Sequence, residues 1–244
     1  MRRGRSFTTF ITGAGTFGLV VGFLAAAPAS AQQAVNFYLG GFVPTSADAR
    51  GDISGGLSND VLVRNQEFLS FRIKDFDGFT FGGEWLVPLH DKVEAGLGLG
   101  FFQETVHAVD ANYVNVNGSE VVANLKLRIV PITATVRLLP LGQKAWIQPY
   151  VGAGVGVNGW RYSEYGQFVD PDTKAIFNGT FVGNGWAVGP VLLGGVRVPM
   201  GPTAAGFEAR WQKAHGDLPS NQGFSGTEID LGGMNYLFTF GVRF

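Results

Sequence analysis

Eight stretches of the chain alternate apolar with polar or small residues at a period of two, and this constrains the fold more than any other feature. Such a period belongs to a strand whose successive side chains point to opposite faces. In the C-terminal "GMNYLFTFGVRF", Met234, Tyr236, Phe238, Phe240, Val242 and Phe244 share one face; Asn235, Leu237, Thr239, Gly241 and Arg243 share the other. Only Leu237 is out of place. "FTFGGEWLV" sets Phe79, Phe81, Gly83, Trp85 and Val87 against Thr80, Gly82, Glu84 and Leu86. "VEAGLGLGF" sets Val93, Ala95, Leu97, Leu99 and Phe101 against Glu94, Gly96, Gly98 and Gly100. Only "PLHDK" separates these two, which predicts a hairpin.

"LKLRIVPITATVRLL" keeps the alternation but reads as a change of phase near Pro131, where a bulge would accommodate an amide without its N–H. On that reading Lys126 and Arg128 share the face that Thr133, Thr135 and Arg137 occupy after the shift. A turn through Gly142 leads to "IQPYVGAGVGVN", and "WAVGPVLLGGVRVP" with "GFEARWQ" forms a third pair joined by "MGPTAA". With "VNFYLGGF" first and the tail last, the count is eight. Connections after the second, fourth and sixth strands are short, whereas those after the first, third, fifth and seventh are long and rich in Asp, Asn, Ser and Gly. That asymmetry fits an all-β fold: an eight-stranded antiparallel transmembrane β-barrel with short periplasmic turns and long extracellular loops. An even strand number lets the last strand pair with the first. In hydrocarbon it must, since each unpaired backbone group costs several kcal/mol.

The N-terminus supplies the route. Arg2, Arg3 and Arg5 precede an uncharged stretch from Phe7 to Ala27, followed by Ala29, Ser30 and Ala31. Basic head, apolar middle and A-x-A exit describe a secretory signal peptide over residues 1–31, leaving residues 32–244 as the barrel domain. Gly4 and Arg5 follow the paired arginines where a twin-arginine signal prefers other residues, so ordinary export is favoured. Cleavage leaves 15 basic against 19 acidic residues, a formal net charge of −4, and no basic block to attract nucleic acid. The chain has no cysteine, so neither a disulfide framework nor a zinc–cysteine site holds it together. Its 37 glycines exceed the usual share of about 7%. They are scattered through the alternating segments, which points to a sheet with one face kept small.

The tail resembles the assembly signal of outer-membrane barrels, in which a final Phe preceded by alternating apolar residues is recognised by the insertion machinery. Tyr236, Phe238, Phe240, Val242 and Phe244 match it residue by residue. Trp85, Trp146, Trp160 and Trp186 fall near strand ends, where interface aromatics belong. "PITATVRLLPLG" followed by "WIQPYVGAGVGV" resembles a strand–turn–strand unit of the small OmpA/OmpW-type barrels. The resemblance implies a monomer in the outer membrane of a Gram-negative cell, surrounded by outer-membrane lipid and partnered by the insertion machinery during biogenesis. It implies little about activity, since such barrels serve as anchors, adhesins, narrow channels and enzymes.

The polar face collects Glu84, Glu94 and Glu208 with Lys126, Arg128, Arg137, Arg197, Arg210 and Arg243. Charges enclosed by a narrow barrel need partners, because an isolated buried charge is very costly. An eight-stranded ring is only wide enough for side chains or one small ligand. The expectation is a plug of carboxylate–guanidinium bridges, with inner glycines of the third and fifth strands making room. The alternative is a gate, in which six cations against three carboxylates favour a small anion. No cofactor is called for: Gly154, Gly156 and Gly159 spell G-x-G-x-x-G but no helix follows, and "DFDG" at Asp75 to Gly78 lacks the glutamate of a calcium loop. An enzyme is not expected. Only His90, His107 and His215 are available as bases, and the His-x-Ser pattern of outer-membrane deacylases is absent. The segment from Val43 to Asp77 contains "DVLVRNQEFLSFRI", too apolar for a loose tether. It reads either as a short helix over the mouth, starting at Ser58 or Asn59, or as an extension of the second strand. N-terminal sequencing of the exported protein is expected to begin at Gln32.

Overall fold

Eight strands close on themselves through a seam between the first and the last. The computed structural model describes residues 33–50 and 58–244, within one compact unit, Gln32–Phe244. The signal-peptide reading of residues 1–31 lies outside the described residues. The barrel strands are β1 (Ala34–Pro44), β2 (Gly78–His90), β3 (Val93–Val114), β4 (Glu120–Leu138), β5 (Gln148–Val169), β6 (Ile176–Met200), β7 (Thr203–Gln212) and β8 (Gly233–Arg243). Each pairs antiparallel with its neighbours in sequence. β1 and β8 complete the ring from Ala34 opposite Arg243 to Pro44 opposite Gly233. A two-residue strand, Leu69–Ser70, adds to β3 beyond the ring proper. Among the described residues no helix is long and apolar enough to cross a membrane.

The outer face carries a continuous belt of exposed apolar side chains: Phe37 and Leu39 on β1, Leu97 and Leu99 on β3, Ile132 and Val136 on β4, Val188 and Leu192 on β6, Phe238 and Phe240 on β8. A water-soluble monomer does not tolerate an apolar surface that encircles it. Tyr236, Val242 and Phe244 complete the outward face of the tail. Leu237, anomalous in the sequence, points into the lumen and is buried there, as is Leu86.

Four strands run far past this belt at one end. There the excursions differ from extended coil. β3–β4 and β5–β6 continue as hairpins that close through the short segments 115–119 and 170–175. They can do so because the extensions bury an apolar core of their own. Phe102, Val106, Leu125, Leu127, Ile129, Trp160 and Tyr162 face inward and meet Val61, Leu62, Leu69, Ile73 and Phe76 of the first connection and Leu218, Ile229 and Leu231 of the last. Trp160 therefore belongs to this core and not to the interface girdle expected of it; its inward parity on β5 decides that. Trp85, Trp146 and Trp186 are exposed.

The first connection does form a short helix, Val61–Asn65, seated in the mouth. Its cap is Asp60, whose Oδ1 accepts from the Leu62 and Val63 amides at 3.0 and 3.2 Å. Ser58 stands one step back, its Oγ accepting from the Asp60 amide at 3.2 Å. A capping side chain reaches the second and third amides of a helix, and only Asp60 is placed to do it. Its other oxygen accepts from Arg50 Nη1 at 3.0 Å and from the Asp230 amide at 2.7 Å, tying the first connection to the last. The Asp75–Gly78 stretch is the end of a 3-10 turn running into β2.

The bulge expected near Pro131 is absent. β4 and β5 keep one register from Ala123 opposite Gly166 to Leu138 opposite Val151, with Pro131 opposite Asn158. Odd-numbered residues of β4 face inward throughout: Leu125, Leu127 and Ile129 above Pro131, then Thr133, Thr135 and Arg137 below it. What changes is the medium. Within the belt the outside must be apolar and the inside may be polar; beyond it the outside meets water and the inside is a dry core. A leucine-to-arginine exchange at outward Leu97 should cost about 2–4 kcal/mol of folding stability. At outward, exposed His107 on the same strand the same new residue should cost under about 0.5 kcal/mol. Urea titration of the refolded protein in lipid vesicles reads both.

Candidate functional site

The lumen at the level of the belt is filled by charge. Glu84 on β2, Glu94 on β3, Arg137 on β4, Arg197 on β6 and Glu208 and Arg210 on β7 are all buried and all point inward. Glu84 pairs with Arg137 and lies 3.5 Å from Arg210 Nη2. Arg137 Nη2 also reaches Glu208 at 2.9 Å, and Arg210 Nη2 reaches the other Glu208 oxygen at 2.7 Å. Glu94 takes a two-pronged contact from Arg197, at 3.3 and 3.0 Å, and lies 3.8 Å from Arg137. Three carboxylates and three guanidiniums thus form one connected cluster drawn from five strands.

Neutral groups complete the coordination. Tyr150 donates its hydroxyl to Glu208 at 3.0 Å, and its ring faces the Arg137 guanidinium at 4.8 Å. The Tyr38 ring carries Arg210 at 5.2 Å. Gln148 accepts from Arg197 Nε at 3.0 Å and from Arg243 Nη2 at 3.0 Å. Arginine suits such a site because its planar fork spreads five donors over several acceptors and stacks on aromatic rings. Space is made by absence of side chains. A Cβ on inward Gly96 would stand 2.6 Å from Glu84 Oε1 and 2.8 Å from Thr135 Oγ1.

Two residues expected in this cluster are elsewhere. Lys126 and Arg128 face outward, on the extension of β4 beyond the belt, Arg128 exposed and Lys126 half-buried. Since no bulge reverses the phase at Pro131, even-numbered residues of β4 stay outside. Arg243 is half-buried at the short-turn end and joins only through Gln148. The positive excess that would have favoured a small anion is gone: the enclosed charges balance three to three. Tyr150, Gln148 and Tyr38 were not singled out in the sequence. Their even-numbered, inward parity opposite Val151 and Val155 on β5, and opposite Phe37 and Leu39 on β1, was the available signal.

A second feature lies at the long-loop end. Asn65 of the capping helix donates Nδ2 to Glu164 Oε1 at 2.7 Å and to Tyr162 Oη at 3.2 Å. A hollow of about 730 Å³ opens beside them, walled by Phe68, Phe168, Phe177 and Phe181. Among the described residues no group of His, Cys, Asp or Glu is placed to hold a metal ion.

No protein-family model matches the sequence, and no curated protein matches it. Solved structures of small outer-membrane proteins align along most of the chain. OprG of Pseudomonas aeruginosa does so at 15% identity, over 88% of this chain and 96% of its own, with a TM-score of 0.49. The N-terminal barrel domain of Pseudomonas aeruginosa OprF aligns at 13% identity, over 88% of this chain and 99% of its own, with a TM-score of 0.42. Ail of Yersinia pestis aligns at 10% identity, over 88% and 99%, with a TM-score of 0.39. The eight-stranded assignment stands on this chain's own closed ring.

Removing one member of the cluster strands its partners in a dry lumen. Arg137→Met should therefore lower folding stability by about 3–5 kcal/mol. Arg243→Met, at the half-exposed rim, should cost under about 1 kcal/mol. Urea unfolding in detergent micelles, followed by tryptophan fluorescence, measures both.

Proposed function

We propose that the chain is a barrel of the bacterial outer membrane with a closed lumen. It acts as a non-enzymatic structural or interaction protein that presents its long-loop end at the cell surface. What carries the reading is the double seal. The balanced cluster around Arg137 fills the lumen within the belt, and the core around Leu125, Leu127, Ile129 and Tyr162 fills it beyond. A continuous water path would have to break buried ion pairs and also hydrate an apolar core. Support for the membrane comes from the encircling apolar belt, and for this membrane from the outward Tyr236, Phe238, Phe240, Val242 and Phe244. For a non-catalytic role the support is placement. His90 ends β2 at the short-turn end, while His107 and His215 take exposed positions on separate strands at the other.

A narrow channel is the second reading, favoured by the aromatic hollow at the mouth, which offers a vestibule beside Glu164. Recordings on the refolded full chain in planar bilayers separate the two. The closed barrel is expected to show no steady conductance. Steady conductance altered by Glu84→Ala or Arg197→Ala would establish the channel instead. A changed acyl pattern in lipid A from expressing cells would overturn the non-enzymatic part.

A further inference from the structure

The two cations that the lumen does not contain have company where they are. On the outer wall Arg128 of β4 sits directly opposite Arg161 of β5 in the register, with Gln103 of β3 on its other side and Asn184 of β6 beyond Arg161. One repeat further along, Lys126 lies between Thr105 and Ser163. Arg128 and Arg161 are exposed and Lys126 is half-buried. Gln103, Lys126, Arg128, Arg161 and Ser163 line a recess of about 270 Å³. Among the described residues none of the three cations makes an ion pair. Like charges directly opposite one another on neighbouring strands destabilise a sheet, so this pair costs the isolated protein stability that an anion seated between them would return.

The height of the recess says where that anion comes from. Gly159, two residues before Arg161, faces Trp186, and the exposed Trp186 ring lies across it: a Cβ there would meet the ring at 3.0 Å. Trp186 tops the apolar wall that continues downward through Val188 and Leu192. Tryptophan marks the boundary between hydrocarbon and headgroups. The arginine pair stands one strand repeat above it, about 7 Å along the strand. A recess at that height, opening sideways and rich in guanidinium, faces the headgroups of the surrounding leaflet.

We infer that Lys126, Arg128 and Arg161 form a binding site for the phosphate group of an anionic lipid in the outer leaflet. Arg128 and Arg161 chelate the phosphate oxygens through paired N–H donors, Lys126 adds charge, and Gln103 and Ser163 supply neutral donors. The lipid is thereby held against one arc of the barrel, over β3, β4 and β5. The inference rests on the outer-membrane reading above.

The test uses the full mature chain refolded in nanodiscs containing lipid A, with retained lipid counted by native mass spectrometry after detergent extraction. The wild type is expected to retain lipid A and to release it when both phosphates are absent. Arg128→Ser/Arg161→Ser, at exposed positions that leave the core intact, should weaken retention about tenfold or more. Arg161→Ser alone should weaken it less. Lys92→Ser/Lys144→Ser, which removes equal charge at exposed positions of the short-turn end, should leave it unchanged. Equal retention by the arginine variant, equal loss in the lysine control, or equal retention of dephosphorylated lipid overturns the proposal. Displacement of lipid A by excess inorganic phosphate would assign the recess to a soluble anion and also overturn it. Failure of the chain to enter nanodiscs would instead sink the membrane reading itself.

Discussion

The seam between Ala34–Pro44 and Gly233–Arg243 is the constraint on which everything else depends. In a hydrocarbon layer a backbone amide has no water to turn to, so a sheet with an edge cannot stay there. Closing the ring supplies every strand with two neighbours. It also creates an inside, cut off from lipid and narrow enough for side chains alone to fill. The outward Phe and Leu residues and the inward charges are two consequences of that one closure. Once the backbone is satisfied within the ring, each side chain has only its own medium to match.

Two media act along the same strand. On β4 the inward set changes from Thr133, Thr135 and Arg137 to Leu125, Leu127 and Ile129 without any break in parity, while the outward set changes from Ile132 and Val136 to Lys126 and Arg128. β5 repeats the exchange, from outward Val151 and Val155 to outward Arg161, and from inward Tyr150 to inward Trp160 and Tyr162. The barrel is thus oily outside in its lower part and oily inside in its upper part. The helix Val61–Asn65 completes the upper core, held by Asp60 between the first and last connections.

The charge cluster follows from the same geometry. A buried ion pair is weak evidence for stability, because desolvation offsets much of the attraction. Its value here lies in balance and connectivity: Glu84, Glu94 and Glu208 are each bound to at least one guanidinium, so none of the six charges in the cluster lacks a counter-ion. Above it lie the aromatic walls of the hollow and the outward arginines.

Much of this was legible in the residues alone. Period-two alternation identified the eight strands; the lumen contents Glu84, Glu94, Arg137, Arg197, Glu208 and Arg210 followed from which parity carried the charge; and the apolar run after Asn59 left a helix and a strand extension both open, between which the structure chose the helix. These are local properties, each readable within a few residues. Lys126, Arg128 and Trp160 were misplaced for a single reason. Alternation states which residues share a face, but not which medium that face meets, and a reversal of chemistry looks the same whether the strand has shifted phase or has left the membrane. Only the tertiary structure, by pairing Ala123 through Leu138 in one register with β5, decided between them. It did so because backbone hydrogen bonds hold parity along the strand while the surroundings change around it.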